Sequence, residues 1–159
     1  MKLTHLDERG RARMVDVGGK PESERAAEAE GVVRMSRQAF DLVAAQAITK
    51  GDVLAVAEVA GTMGAKRTGD LIPLCHPIGL DTVQVEARLE PELPGVRVTA
   101  VAKATGRTGV EMEALTAVAV GCLTVYDMVK AADRAMTIEE VRLVSKTGGT
   151  RGDWRRTES

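Results

Sequence analysis

Reactive side chains are concentrated in the segment 64–77, where glycines and prolines turn the chain. This segment contains two adjacent cations, Lys66 and Arg67, and the adjacent pair Cys75 and His76. Adjacent cations suit a polyphosphate ligand, although the glycine and lysine spacing of a P-loop is absent. We interpret His76, with equal weight, as a hydrogen-bonded turn residue or as a catalytic group. Cys75 is interpreted as a packed thiol, because the sequence shows no base that would activate it.

Two carboxylates, Glu111 and Glu113, lie in the first turn of the longest predicted helix. Acids in that position interact favourably with the helix dipole, and this simple role explains either glutamate taken alone. Taken as a pair, they have the chemistry to grip an amine-rich heterocycle such as guanine.

Asp127 and Lys130 are three residues apart on the same helix, so their side chains share a face. As a surface ion pair they would stabilise the fold by only about 0.5 kcal/mol. As a functional pair at the end of an apolar helix, they would supply a lysine that works as an acid or a base. Further cations, each a weak signal alone, stand at Lys20, Arg25, Lys50 and Lys146.

Composition narrows the class of protein. The 159 residues suit one domain, and 44% hydrophobic with 28% charged residues is typical of a folded globular chain. A net charge of −1 and only 2% aromatic residues argue against a nucleic-acid or membrane-surface binder. The two cysteines and two histidines form no cluster with the spacing of a zinc site, so no metal ligands are predicted. The chain starts without a secretory signal, and its longest apolar run, 114–126, is shorter than the ~20 residues of a membrane span, so we expect a cytoplasmic protein.

Hydrophobic periodicity predicts the order strand, helix, helix, strand, strand, long helix, strand. Ser36 and Asp52 are predicted N-caps of the first two helices, and segments 82–90 and 96–103 alternate as in a hairpin. This order predicts a single-domain α+β fold, a ferredoxin-like antiparallel sheet with helices on one face.

The predicted domain is bounded by two polar segments. Residues 1–13 are predicted to be an N-terminal arm, 14–146 the ferredoxin-like catalytic domain and 147–159 a flexible C-terminal tail. Inside the domain, the charged segment 20–30 is predicted to be an exposed excursion.

The long helix, predicted over residues 108–134, is apolar nearly all round across 114–129. It is either the central core helix of a monomer or, as we favour, a contact with a second copy of the chain. The small residues that would let another backbone approach are Ala117, Ala119, Gly121 and Ala131. Glu113 and Asp127 lie about 21 Å apart along this helix. Our hypothesis is therefore a site shared between antiparallel copies.

Several motifs together resemble one family. They are Met-Val-Asp-Val at 14–17, Ala-Lys-Arg-Thr at 65–68, Asp-Leu-Ile-Pro-Leu-Cys-His-Pro at 70–77, Thr-Gly-Val-Glu-Met-Glu-Ala-Leu-Thr-Ala at 108–117, Tyr-Asp-Met at 126–128 and Lys130. Over nearly the whole chain, this set resembles the molybdenum cofactor biosynthesis protein C family, the cyclic pyranopterin monophosphate synthases.

The resemblance implies an enzyme, a phosphorus–oxygen lyase. Its substrate is a cyclised dihydro-GTP in which ribose carbon 3 is bonded to guanine carbon 8, and its products are cyclic pyranopterin monophosphate and pyrophosphate. The resemblance further implies a ferredoxin-like fold assembled as a hexamer, a trimer of dimers, with sites at the dimer interface. It implies no metal or organic cofactor for the chemistry, with magnesium allowed as a companion of the triphosphate.

The resemblance also implies roles for individual residues. The predicted catalytic residues are Asp127, Lys130 and Lys50. The predicted binding residues for the heterocyclic part of the substrate are Leu74, Cys75, His76, Met112, Glu113 and Glu111. The positions assigned to the triphosphate are Lys66, Arg67, Lys20, Arg25 and Lys146.

Two other classes of function remain open from the residues alone. One is a nucleotide-binding regulatory module that senses GTP-like ligands without catalysis, which an assay for pyrophosphate release would separate from an enzyme. The other is a single-strand RNA binder, which the lack of aromatic residues in strands 83–90 and 96–103 disfavours.

Overall fold

Five antiparallel strands and four helices make up residues 6–157, the part of the chain that the computed structural model describes. In chain order they are β1 (Ser23–Arg34), α1 (Arg37–Ala44), α2 (Val53–Lys66), α3 (Thr68–Leu71), β2 (Thr82–Glu90), β3 (Gly95–Gly106), α4 (Glu111–Val129), β4 (Thr137–Thr147) and β5 (Trp154–Arg155). The sheet order is β2-β3-β1-β4-β5. This order, with every neighbouring pair antiparallel, confirms the predicted α+β fold of ferredoxin-like type.

Local sequence signals explain where the first helices begin and where the hairpin lies. The Ser36 side chain accepts a hydrogen bond from the Ala39 amide, and the Asp52 side chain accepts one from the Ala55 amide, so both predicted N-caps are confirmed. The strand Thr82–Glu90 has the predicted bounds and pairs with β3 along its whole length.

β1 is longer than the sequence predicted. The segment 20–30, predicted to be an exposed excursion, instead belongs to a strand from residue 23 onwards, so that prediction was wrong. Ala27 and Ala29 are buried against the core, while Glu28 and Glu30 occupy the opposite face. Alanine has a weak apolar signal, and the alternating glutamates hide the period-two pattern. The last strand, β4, also runs slightly beyond its predicted bounds.

α4 is the core helix of the protomer. It contacts β1 and β3 on one side and α2 on another, and Val118, Cys122 and Val125 are fully buried. It runs over 111–129 rather than 108–134. α4 is also the one helix within residues 6–157 with the length and composition of a membrane span, but most of that window, 56%, is buried inside the fold.

Close packing inside the protomer requires glycines on both α2 and α4. A Cβ on Gly61 of α2 would stand 2.9 Å from the Ala117 carbonyl oxygen, and a Cβ on Gly121 of α4 would stand 2.9 Å from a methyl group of Val98 on β3. Packing inside the protomer therefore explains why Gly61 and Gly121 are glycines, and Ala117 is buried in the same core. The outer surface of α2 and α4 keeps exposed apolar side chains, which are Val56, Val59, Met63 and Leu123.

Both terminal segments form backbone pairings within the described residues. Leu6 and Ala12 form an isolated β-bridge near the start. Within the segment predicted as a tail, β5 pairs with β4, and the Arg156 amide donates a hydrogen bond to the Val144 carbonyl. Residues 147–153, which lead to β5, thereby pass close to the start of α4, where the chemistry-bearing residues lie.

Candidate active site

Three predicted catalytic residues meet at the carboxyl end of α4. The loop before α2 presents Lys50, whose Nζ donates to Asp127 Oδ2 at 2.8 Å and to the Asp127 carbonyl oxygen at 2.9 Å. From the end of α4, Lys130 Nζ donates to Asp127 Oδ1 at 2.7 Å. All three side chains are about half exposed, so the cluster is open to a ligand.

Asp127 works in this cluster as a fixed negative charge. Hydrogen bonds from Lys130 and Lys50, with their positive charges, lower the pKa of Asp127 to about 2. The carboxylate is therefore ionised at any physiological pH and is not a proton donor to substrate. Its two oxygens each hold one ammonium group, which places both lysines on the same side of the helix end.

A cavity of about 450 Å³, the main cavity below, lies at the other end of α4. The loop after α3 contributes Leu74, Cys75 and His76, and α4 contributes Glu111 and Met112. Its other lining residues are Val15, Val17, Lys20, Ile72, Thr108, Gly109 and Arg151. Its wall combines apolar side chains with polar and charged ones, which suits a heterocycle that carries polar groups.

Glu113 stands behind this cavity rather than in its wall. It is only 2% exposed, and its Oε1 accepts a weak hydrogen bond from Cys75 Sγ at 3.8 Å. Its other oxygen, Oε2, has no hydrogen-bond partner among residues 6–157. Burial raises the pKa of Glu113, and burial together with the Glu113 charge raises the pKa of the Cys75 thiol. Both shifts disfavour the charged form of the group concerned, and no residue within 6–157 lowers the pKa of Cys75.

Replacing Glu113 with Gln is expected to stabilise the protein more at pH 8 than at pH 4. The pKa of native Glu113 lies above the usual value of 4.5, so ionisation favours the unfolded state as the pH rises through and above 4.5. Gln has nearly the same shape and cannot ionise. We expect the gain in Tm over the wild type to grow by a few degrees between pH 4 and pH 8.

The control for this measurement is Glu86→Gln, because Glu86 is exposed on β2. It should change Tm by the same small amount at both pH values. A Tm gain for Glu113→Gln that does not vary with pH would contradict the link between this carboxyl group and folding.

A cationic groove of about 130 Å³ adjoins the main cavity. The two spaces share Lys20, Thr108, Gly109, Glu111 and Arg151. The basic side chains that line the groove are Lys20, Arg25, Arg107, Lys146 and Arg151. Three of the residues predicted to bind the triphosphate are thus brought together beside the cavity. They are Lys20, Arg25 and Lys146.

Two predicted cations are not part of this groove. Lys66 lines a separate recess of about 80 Å³ together with Asp70 and Glu113. Arg67 is exposed at the end of α2 and lines neither the cavity nor the groove. Lys66 and Arg67 therefore do not join Lys20, Arg25 and Lys146 within one protomer.

The sequence reasoning missed Arg107 and Arg151. Arg107 immediately precedes the motif at 108–117, and Arg151 follows the adjacent glycines Gly148 and Gly149. The signal that would have found Arg151 is this glycine pair, because both glycines adopt positive φ angles of +84° and +85° and turn the tail towards α4.

The chain matches the MoaC family model over residues 14–149, which is most of its length. The chain belongs to the MoaC family. Three curated relatives of this MoaC chain are named "cyclic pyranopterin monophosphate synthase", from Brucella ovis, Brucella melitensis biotype 2 and Brucella abortus. Each is 57% identical over 153 residues, which cover 96% of this chain and 93% of the relative. The family resemblance stated from the motifs is confirmed.

Proposed function

We propose that this MoaC-family chain is a cyclic pyranopterin monophosphate synthase of molybdenum cofactor biosynthesis. It converts (8S)-3',8-cyclo-7,8-dihydroguanosine 5'-triphosphate into cyclic pyranopterin monophosphate and pyrophosphate. The observation that carries this proposal is the 57% identity, over 96% of the chain, to relatives with that name. The geometry supports it, because a cavity of heterocycle size opens into a groove lined by cations.

The reaction class that fits is a phosphorus–oxygen lyase. A substrate hydroxyl attacks the α-phosphorus, the bond from that phosphorus to the pyrophosphate oxygen breaks, and pyrophosphate leaves with its electron pair. The hydroxyl proton, and the protons moved when the purine-derived ring opens and the new ring closes, pass through Lys50 and Lys130. Asp127 is the counter-ion that holds the two lysines in place, with both contacts shorter than 3 Å.

The heterocycle binds in the 450 Å³ cavity. Leu74 and Met112 supply apolar contact, and His76 supplies a polar contact to the ring system. The cations of the adjoining groove offset the charge of the departing pyrophosphate. Glu113 contributes to substrate binding only through the Cys75 segment that it supports.

The active form is a homo-oligomer, a hexamer built as a trimer of dimers, with each site at a dimer interface. The cavity and the lysine cluster lie at opposite ends of α4, about 23 Å apart at ~1.5 Å per residue from Met112 to Asp127, which is too far for one small substrate to reach both in one protomer. Antiparallel packing of two copies along the exposed apolar surface of α2 and α4 would bring the two half-sites together.

The chemistry needs no metal ion or organic cofactor from the protein, and magnesium accompanies the triphosphate only as part of the substrate. The enzyme works in the cytoplasm on a small molecule and requires neither nucleic acid nor a membrane.

Incubation with the cyclised dihydro-GTP tests the proposal. We expect one equivalent of pyrophosphate per substrate consumed, together with the cyclic monophosphate product. GTP is the matched control, because it lacks the bond between ribose and guanine carbon 8 and should release no pyrophosphate. Tight binding of the cyclised substrate without pyrophosphate release would contradict the proposal and favour a regulatory nucleotide-binding module.

A further inference from the structure

The groove beside the main cavity has a strongly unbalanced charge. Five basic side chains line it, and Glu111 is the one acidic residue among its lining residues within residues 6–157. Phosphate oxygens are the ligands that clustered arginines and lysines bind best. The position of the single carboxylate therefore affects how tightly the groove binds an anion.

Glu111 is held in the groove by Lys146. Lys146 Nζ donates to Glu111 Oε1 at 2.9 Å, and each side chain is only about a quarter exposed. Glu111 also folds back over Gly109, where a Cβ atom would collide with its carboxylate. The chain thus provides space for the carboxylate at the point where groove and cavity meet.

The backbone around Arg25 is shaped to fix this arginine. Its Nε donates to the Gly106 carbonyl oxygen at 3.1 Å. A Cβ on Gly149 would collide with the Arg25 guanidinium, and one on Gly148 would collide with the Glu24 carbonyl oxygen. Because both glycines have positive φ, this turn presses closely against the start of β1.

The guanidinium groups of Arg107 and Arg151 are not held in close ion pairs within the described residues, so both can bind a ligand. Arg107 approaches Glu22 only at 4.0 Å, the outer limit of an ion pair, and Arg151 makes no ion pair with the residues that the structure describes. Both side chains are exposed at the groove. They can therefore turn towards an anion without breaking a strong contact.

We propose that Glu111 is a built-in counter-ion in a polyphosphate subsite completed by Arg107 and Arg151, and that a bound polyphosphate displaces Glu111 from Lys146. The inference rests on the proposed function in assigning the polyphosphate to the substrate and to the pyrophosphate product. In this proposal Glu111 does not bind the heterocycle, which was the role that the family resemblance implied. The triphosphate is bound by Arg107 and Arg151 in place of Lys66 and Arg67. Glu111 is here a positioning residue, since it acts through Lys146.

Calorimetric titration of the full-length protein with inorganic pyrophosphate tests the subsite without turnover. Glu111→Gln keeps the shape of the side chain and removes the charge, so pyrophosphate should bind about fivefold more tightly than to the wild type. Arg107→Ala and Arg151→Ala should each weaken binding about tenfold, because each removes a charged hydrogen-bond donor. Arg88→Ala, an exposed arginine on β2, is the matched control and should bind as the wild type does.

Salt dependence gives a second readout that a purely structural role would not move. The loss of affinity with rising ionic strength should be less steep in Arg151→Ala than in the wild type, because fewer charges are neutralised. A Kd for Glu111→Gln equal to or weaker than that of the wild type would overturn the counter-ion role. Unchanged binding in both arginine variants, or no pyrophosphate binding by the wild type, would overturn the subsite.

These outcomes are separate from the failure of the proposed function. If the predicted pattern of pyrophosphate binding is found but the cyclised dihydro-GTP is not converted, the subsite stands and the proposed reaction fails. If the wild type converts the substrate but the variants bind pyrophosphate as the wild type does, the reaction stands and the subsite fails.

Discussion

Alanine at either Lys50 or Lys130 is expected to lower kcat about 10²- to 10⁴-fold while leaving the fold intact. Each side chain is about half exposed, and its ion pair within the described residues is with Asp127, so its loss removes a surface ion pair worth less than about 1 kcal/mol. The stability effect is therefore small, and the catalytic effect is large because each lysine moves protons in the proposed reaction. The rate of pyrophosphate release and the Tm measure the two effects separately.

The control is Lys103→Ala, which removes an exposed lysine of β3 on the sheet, away from the cluster. It should retain the wild-type kcat and a similar Tm. A wild-type kcat in Lys50→Ala or in Lys130→Ala would remove that lysine from the mechanism. A large loss of Tm in either variant would instead show that the cluster is needed for folding.

The sequence predicted those parts of the fold that depend on neighbouring residues. The caps at Ser36 and Asp52 and the hairpin strand Thr82–Glu90 follow from side chains within a few positions of each other. The start of β1 was missed because Ala27 and Ala29 are buried in the core that forms when α4, a distant element in the sequence, packs on β1. Burial that depends on a distant element leaves little local signal.

The same distinction applies to the site. Asp127 and Lys130 could be paired from the sequence, because a spacing of three residues puts them on one helix face. Lys50 could not be placed beside Asp127 without the family resemblance, since 77 residues separate them. Arg151 was missed because its position depends on the two glycine turns that carry the tail past α4.

The ionisation state of Asp127 could also be derived only from the structure. From the sequence, Asp127 was an acid that shares a helix face with Lys130, and its ionisation state was not predicted. Two ammonium contacts, at 2.7 and 2.8 Å, lower its pKa to about 2 and make it a permanent counter-ion. This charge state agrees with the proposed reaction, in which the lysines carry the proton transfers.

Mixing two inactive chains is expected to restore activity, because in the proposed assembly each site is shared between two copies. His76→Ala disables the cavity at one end of α4, and Asp127→Ala disables the lysine cluster at the other. Each variant alone should be inactive, since every site then contains one defective half. In a mixed dimer, one site receives both defects and the other site receives none.

The matched control mixes Asp127→Ala with Lys130→Ala. These two residues contact each other within one chain, so both defects lie in the same half-site. Every site in such a mixed dimer contains one defective lysine cluster, and no activity should return. Wild-type protein that has been unfolded and refolded in the same way sets the reference activity.

The measurement that bears most directly on the shared site is the rate of pyrophosphate release by an equal mixture of His76→Ala and Asp127→Ala chains after joint refolding. Random pairing makes half of the dimers mixed, each with one intact site, so we expect about one quarter of the wild-type rate. A rate no higher than that of either variant alone, from properly folded mixed oligomers, would contradict a site built from two copies of the chain.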